Sequence, residues 1–367
     1  MRDDWSDGTT GDDGKQGSNA VRPMAWDDLM KPPNNKNSLL ENRALERGQA
    51  MLVFGPSGIG KTIGQLQMCS SWAAGIAGLH IAPDHPLKIA ILQTEDSQDD
   101  MREYCSSILS QPCFTPERIA LVKQNLLIME PIPGGSLKHL ESLLNHVAVE
   151  FKPDLISLNP LLAFCAADYT RELGAILYQV IDPIIKTHQI GFQGVHHTPK
   201  TIRKDTSNLS AFDYQYLAAG DARIANWPRL SLQIDPVAAS PVLTACFRIT
   251  KRWQRIRWLN ERGEPTRERF IKHSASTIWW DDAFADEAEE ARASEQPMKI
   301  LEILPPPSEP GIIRDEVRIR VKNKFNAGRD KADAWLNIGV HHTKMIDRYE
   351  ESTANNRKMA LFRRIYE

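Results

Sequence analysis

Met51 to Thr62 reads MLVFGPSGIGKT, and this stretch decides the fold. Four apolar residues, Met51 to Phe54, have the look of a buried parallel strand. They run straight into Gly55-Pro56-Ser57-Gly58-Ile59-Gly60-Lys61-Thr62, which satisfies G-x-x-x-x-G-K-[ST] at every fixed position. Gly55, Gly58 and Gly60 let the backbone curl so that successive N–H groups face inward, toward phosphate oxygens. The span from Gly55 through Ile63 is therefore the candidate nucleotide cradle. Lys61 has the reach to touch β- and γ-phosphates, and the Thr62 hydroxyl can ligate Mg²⁺. Ile63 to Ala77, rich in Gln, Leu, Met and Ala, reads as a helix whose positive end lies under those phosphates. A Gly-rich turn matching by chance would lack the strand before and the helix after. The chain is expected to bind a nucleoside triphosphate with Mg²⁺.

The whole chain bounds what surrounds this loop. At 367 residues it has room for two domains. Hydrophobic content of 41% and charged content of 25% are ordinary for a globular protein. A net charge of −2 excludes a generally cationic surface, so any nucleic-acid site must be local. Five cysteines without a C-x-x-C pair suit free thiols rather than disulfides or zinc. No apolar run approaches the length of a membrane span, and the acidic N-terminus does not resemble a signal peptide. The expectation is a cytoplasmic protein with no membrane association.

Residues 1–24 hold Asp3, Asp4, Asp7, Asp12 and Asp13 among Gly, Ser and Thr, and are expected to be a disordered acidic tail. Residues 25–280 are expected to form the nucleotide-binding domain. Within it, Asn37 to Gly48 reads as a short helix. Leu87 to Thr94 is a second buried strand, ending at Glu95-Asp96-Ser97. A carboxylate at the C-terminal end of a parallel strand is where such sheets place catalytic groups. Asp96 or Ser97 can cap the next helix, from about Gln98 to Leu109, which frees Glu95 as a general base. The competing reading makes Glu95 one more helix-start carboxylate. Pro112 to Arg118 reads as a loop and Asn125 to Glu130 as a strand. A Pro131–Gly135 break then leads into a helix over Ser136 to Glu150. Asp154 to Asn159 is the next strand, and it ends in Asn where phosphate-loop NTPases usually carry an Mg²⁺-holding Asp. Asn159 keeps an oxygen but loses the charge. Asp154 sits at the wrong end of the strand to substitute, and Asp168 is a rival.

Leu173 to Thr187 reads as a helix and Ile190 to Val195 as a strand, followed at once by His196-His197. Two histidines at that strand end suit a γ-phosphate sensor better than a zinc site, since no further Cys or His lies at ligand spacing. Thr201 to Leu209 is a polar loop suited to substrate contact, and Tyr216 to Ala225 reads as a helix. Arg229–Gln233 and Val242–Thr250 read as the last strands. Arg248, Lys251, Arg252, Arg255 and Arg257 follow, interleaved with Trp253 and Trp258. This basic run reads equally as a solvated strand edge, as arginine fingers for a neighbouring subunit, or as a nucleic-acid contact. Residues 281–296 are acidic and Ala-rich and are expected to be a linker helix. Residues 297–367 carry 14 Lys/Arg against 10 Asp/Glu. Their pattern suits a small winged-helix-like domain: helices at 298–304, 312–325 and 329–338, then 344–350 and 361–366.

The order of these motifs, GPSGIGKT, then LQTEDS, DLISLNPL, GVHHT and AGDAR, resembles the RecA-like ATPases of the RepA type. That group includes the hexameric replicative helicase of broad-host-range plasmids. The resemblance spans roughly residues 25–260, and the EDS and HHT strand ends narrow it to this group. It implies a RecA-like α/β core assembling as a homo-oligomeric ring, with a hexamer as the family's form. It also implies ATP and Mg²⁺ as cofactors and single-stranded or forked DNA as partner. Glu95 matches the catalytic glutamate, His197 or its neighbour His196 the γ-phosphate sensor, and Arg229 the arginine finger, with Arg223 a rival. Lys251-Arg252 is similar to the Lys-x-Arg strand end pushed into the next subunit's site. Asn159 is the clear departure from the family's Walker B aspartate.

Overall fold

The computed structural model describes residues 25–130, 137–165, 169–198, 222–239, 242–274, 276–341, 344–352 and 358–365. The expected acidic tail, the Pro131–Gly135 break, Asp168, the polar loop Thr201–Leu209 and most of the helix expected over 216–225 lie outside them. A short N-terminal unit ends at Lys36, and everything from Asn37 onward forms the second unit. In the first, Trp26–Leu29 makes a single helical turn and Lys31 pairs with Asp28 at 2.6 Å.

The second unit begins with β1 (Ser38–Leu40) and β2 (Leu45–Glu46), an antiparallel pair in place of the helix expected over Asn37–Gly48. Asn42 and Arg43 between them take left-handed φ values of 51° and 60°, which no helix continues through. Leu39, Leu40, Ala44 and Leu45 are all fully buried, and that burial selects the pair.

Nine further strands form one sheet. In chain order they are β3 (Ala50–Gly55), β4 (Ile89–Gln93), β5 (Leu126–Met129), β6 (Leu155–Asn159), β7 (Gly191–His197), β8 (Leu230–Ala238), β9 (Thr244–Lys251), β10 (Glu268–His273) and β11 (Trp280–Ala283). Across the sheet the order is β11-β10-β9-β8-β3-β7-β6-β4-β5. The six strands from β8 to β5 run parallel, and β9, β10 and β11 extend them antiparallel. This is the RecA-like α/β arrangement expected from the sequence. The continuous apolar runs of β3, β4 and β6 follow from burial on both faces.

One face is covered by α1 (Lys61–Ala73), α2 (Gln98–Leu109) and α3 (Pro116–Asn125), with Trp72, Leu66, Ile108 and Val122 in its core. The other is covered by α4 (Leu137–Glu150) and by α5 (Tyr169–Ala175), which runs through a π-helical stretch, Ile176–Ile181, into α6 (Asp182–His188). Phe192, Leu144 and Ile181 lie in that second core. The loop expected over 112–118 gives way to α3 from Pro116 onward, because Thr115 caps it through Arg118 N and Pro116 suits the first helical turn.

The sheet does not end at Thr250 as the sequence suggested. β10 and β11 follow, and residues 281–283, expected in a linker, sit inside β11. The alternation in Glu268–His273 is too short and too charged to announce a strand; pairing with β9 makes it one. The helix after it, α7 (Ala285–Leu301), lays Ala288 against Val237 and Cys246 of the sheet.

The C-terminal elements are β12 (Ile312–Ile313), α8 (Arg314–Phe325), α9 (Arg329–His341), β13 (Ile346–Ser352) and β14 (Lys358–Arg364), with strand order β12-β14-β13. Helix, strand, two helices and a two-stranded hairpin give a winged-helix-like order. A separate core of Ile300, Leu304, Val317, Trp335, Leu336 and Phe362 holds it, and Arg318 of α8 grips Asp333 of α9 at 2.5 and 2.9 Å. Among the described residues no helix is long and apolar enough to cross a membrane.

Candidate functional site

The phosphate loop leaves β3 at Gly55 and enters α1 at Lys61. Its glycines are constrained differently. A Cβ on Gly55 would stand 2.3 Å from the Ile234 carbonyl oxygen of β8, so only glycine lets the two backbones approach. Gly58 and Gly60 have φ values of +78° and +82°, which L side chains rarely adopt. A Cβ on Gly58 would meet nothing within 4 Å, which leaves the loop open on that side. This open curl of backbone at a helix N-terminus fits a phosphate.

Lys61 is buried and folds back into the loop, where its Nζ donates to the Pro56 carbonyl at 2.7 Å and lies 3.0 Å from His197 Nδ1. Burial pulls its pKa down to about 8, with Glu95 acting in the opposite sense. On the far side of the imidazole, His197 Nε2 stands 3.5 Å from Glu95 Oε1. Burial and the adjacent Lys61 hold the His197 pKa below its usual value, opposed by Glu95. Lys61, His197 and Glu95 thus form a line, cation to imidazole to carboxylate, drawn from α1, the end of β7 and the second residue past β4.

The helix cap after β4 belongs to Ser97, whose Oγ accepts from Asp100 N at 3.1 Å while its own N–H donates to Asp100 Oδ2 at 3.0 Å. Asp96 is occupied by Gln93, whose amide donates to its carboxylate. Burial, then Glu95 and Asp100, raise the Asp96 pKa. Glu95 is left without a capping duty, its carboxylate half exposed and turned toward His197.

β6 lies one strand away from β3, with β7 between them. Its last residue, Asn159, is buried and donates from Nδ2 to Thr62 Oγ1 at 3.1 Å. An aspartate there would accept from the same hydroxyl. The asparagine donates instead, leaving a neutral amide where a cation beside Thr62 would find a carboxylate. Among the described residues no group of three or more His, Cys, Asp or Glu is arranged to hold a metal ion. The Thr62 hydroxyl is the side-chain oxygen that the loop would offer a cation arriving with bound phosphates.

Of the remaining sequence candidates, His196 lies within electrostatic reach of Lys61 and His197, while the basic residues lie elsewhere. His196 is 1% exposed, and strand alternation turns it to the face opposite His197. Its Nδ1 has no hydrogen-bond partner among the described residues, and burial drives its pKa to about 4. It is a buried neutral ring, and the charges of His197 and Lys61 add to the effect of burial. Arg229 is exposed and pairs through its backbone N–H with the Ala50 carbonyl at 2.8 Å, at the start of β3. Lys251 pairs in register with Ser231, so it too lies at that end. Its Nζ donates to the Asn226 carbonyl at 2.9 Å, and Arg252 Nη1 reaches the carbonyls of Arg43 and Ala44 and, at 3.0 Å, Gln49 Oε1. Burial first, then Arg229 and Arg252, lower the Lys251 pKa; burial first, then Arg229, lower that of Arg252, with Glu46 opposing. The length of β3, roughly 3.3 Å per residue, separates this basic cluster from the chain's own phosphate loop. Arg223, exposed on the turn Ala222–Asn226, accepts at its carbonyl from Tyr178 at 3.0 Å and does not join the cluster.

Sequence reasoning missed a polar chain under the loop helix. Gln65 Nε2 donates to Ser157 Oγ at 2.6 Å, Ser157 Oγ donates to Gln193 Oε1 at 2.6 Å, and Cys69 Sγ lies 3.4 Å from the same oxygen. All four are buried. They tie α1 to β6 and β7, the strands that carry Asn159 and His197. The signal was a polar letter inside two apolar strands, LISLN and GFQGV.

A family model described as AAA domain matches residues 18–202. No curated protein registers as similar in sequence. Among solved structures, the KaiC-like protein of the hyperthermophilic archaeon Pyrococcus horikoshii OT3 matches at 12% identity, covering 65% of this chain and 91% of that one, with a TM-score of 0.43.

Proposed function

The chain belongs to the AAA domain family, and from that premise we propose that it is an ATP-hydrolysing, DNA-dependent motor, a replicative helicase of a phage, plasmid or integrated element. The observation that carries the reading is the line Lys61–His197–Glu95 beside an open phosphate loop. Lys61 would shift from Pro56 and His197 onto the phosphates and neutralise their charge. Glu95, its carboxylate free of capping, would orient water and accept its proton. His197, within hydrogen-bond reach of Lys61 and close to Glu95, would register whether a γ-phosphate is present. Thr62 would hold Mg²⁺ together with the phosphates, and the ion supplies charge neutralisation there.

The basic cluster of Arg229, Lys251 and Arg252 sits too far from the chain's own loop to serve it. A ring of subunits would bring such a cluster to a neighbour's phosphates, so assembly and hydrolysis would be coupled. The winged-helix-like C-terminal elements, with their excess of Lys and Arg, supply a second surface for DNA.

A second reading is favoured by one observation, the hydrogen bond from Asn159 to Thr62. A neutral amide in that place weakens metal retention and suits an ATP-switched DNA-binding or loader protein with slow turnover. The test is hydrolysis with and without single-stranded DNA, together with unwinding of a forked duplex. DNA-stimulated turnover with unwinding supports the motor. ATP binding without either supports the switch.

A further inference from the structure

The indole of Trp280 lies against the phosphate loop from a part of the chain remote in sequence. A Cβ built on Gly60 would meet Trp280 Cζ2 at 2.8 Å and Cε2 at 3.3 Å, and one on Gly64 would stand 4.0 Å from Trp280 Nε1. The indole N–H donates to the Gly60 carbonyl at 3.4 Å, an oxygen that also accepts from Gly64 N at 3.0 Å. The ring therefore occupies space that a side chain at Gly60 would fill, while at Gly64 it stands at ordinary van der Waals distance, behind Ile234 and Leu79.

The rest of the hairpin is clamped to hold the ring there. The Gln67 amide donates to Trp280 O at 3.0 Å and accepts from Trp280 N at 2.9 Å, doing for β11 what a neighbouring strand would. His273, paired with Trp280 across β10 and β11, packs edge-on to the indole with centroids 4.6 Å apart. At the turn, Gln111 of the α2–α3 connection donates to Thr277 at 3.1 Å, and Trp279 meets Phe114 edge-on at 6.2 Å. Gly60, at φ +82°, is the residue whose left-handed turn aims the amides of Lys61 and Thr62 into the loop.

We propose that Trp280 is a positioning residue for nucleotide: by filling the space beside Gly60 it holds the Gly60–Lys61 peptide in its phosphate-binding orientation before the phosphates arrive. The inference rests on the nucleotide reading given above. Loop amides meet the phosphates in the ground state and the transition state alike, so loss of the ring falls on binding and not on the chemical step.

The test uses the full chain, with ADP affinity by calorimetry, ATP KM and kcat, and melting temperature for wild type, Trp280→Leu, Trp280→Phe and Trp279→Leu. Trp280→Leu is expected to raise the ADP Kd and the ATP KM about tenfold with kcat within about twofold. Trp280→Phe keeps an aromatic ring without the N–H and should recover most of that loss. Trp279→Leu disturbs the same hairpin away from Gly60, so it should lower the melting temperature and leave Kd alone. If Trp280→Leu does not fold, Trp280→Phe carries the test with an expected rise of about threefold. Wild-type affinity in both Trp280 variants, or an equal loss in Trp279→Leu, overturns the inference while leaving nucleotide binding intact. A wild type that binds no ADP overturns the nucleotide reading, and the inference with it.

Discussion

Lys61 makes nucleotide affinity depend on pH in a calculable way. In the free chain its amine is buried against Pro56 and His197, and its pKa falls from 10.5 to about 8. Bound phosphates are anionic and favour the ammonium, which restores the ordinary value or more. Nucleotide binding above pH 8 must therefore take up a proton. Between the two pKa values affinity should fall about tenfold per pH unit, so the ADP Kd at pH 9 should be roughly ten times that at pH 7. The sign follows from the depressed pKa: the charged form is the one that binds, and it is lost as pH rises through 8. Calorimetry at pH 7, 8, 8.5 and 9 in buffers of different ionisation enthalpy reads both quantities. Close to one proton should be taken up per ADP at pH 9 and close to none at pH 7. A flat Kd with no proton uptake would refute the account of Lys61.

Other consequences concern the sheet beneath the loop. His196 is buried neutral with its pKa lowered from 6.5 to about 4, so the folded chain binds fewer protons than the unfolded one between those values. Stability should be intact above pH 6.5 and decline as pH falls toward 4, by roughly 3 kcal/mol in all. Thermal melts from pH 7 to 4.5 check this, and His196→Asn should flatten the curve. Ser157→Ala removes the hydroxyl between Gln65 and Gln193, strands the Gln65 amide N–H in the core, leaves Gln193 Oε1 to Cys69 alone, and should cost about 1–3 kcal/mol in urea unfolding. Asn159→Asp supplies the missing carboxylate beside Thr62 and should lower the Mg²⁺ concentration for half-maximal ATPase about tenfold or more. An unchanged Mg²⁺ requirement would show that Asn159 does not limit metal retention.

How much of this was legible in the sequence depended on the range of the interactions. The β3-loop-α1 unit is local: eight residues specify the turn, and the apolar run before it specifies a strand buried on both faces. Glu95 and His197 were legible for the same reason, since each stands at the C-terminal end of a strand of a parallel sheet. That they converge on Lys61 was not, because it depends on β7 and β6 lying between β3 and β4. The pairing of β1 with β2 hid behind a helix-like pattern that the left-handed Asn42 and Arg43 interrupt. β10 and β11 were invisible because their residues take strand form by pairing with β9. Trp280, the residue that fills the space beside Gly60, is carried on the second of them.

The central claim is that Glu95 serves the hydrolysis of ATP held on the Gly55–Thr62 loop. Its most direct test is the Glu95→Gln variant, with ATP affinity and single-turnover hydrolysis measured on the same preparation in the presence of single-stranded DNA. An ATP Kd within about threefold of wild type, with hydrolysis slowed at least a hundredfold, is the predicted result for loss of a general base. Hydrolysis within about threefold of wild type would contradict it, returning Glu95 to a surface carboxylate at the start of a helix.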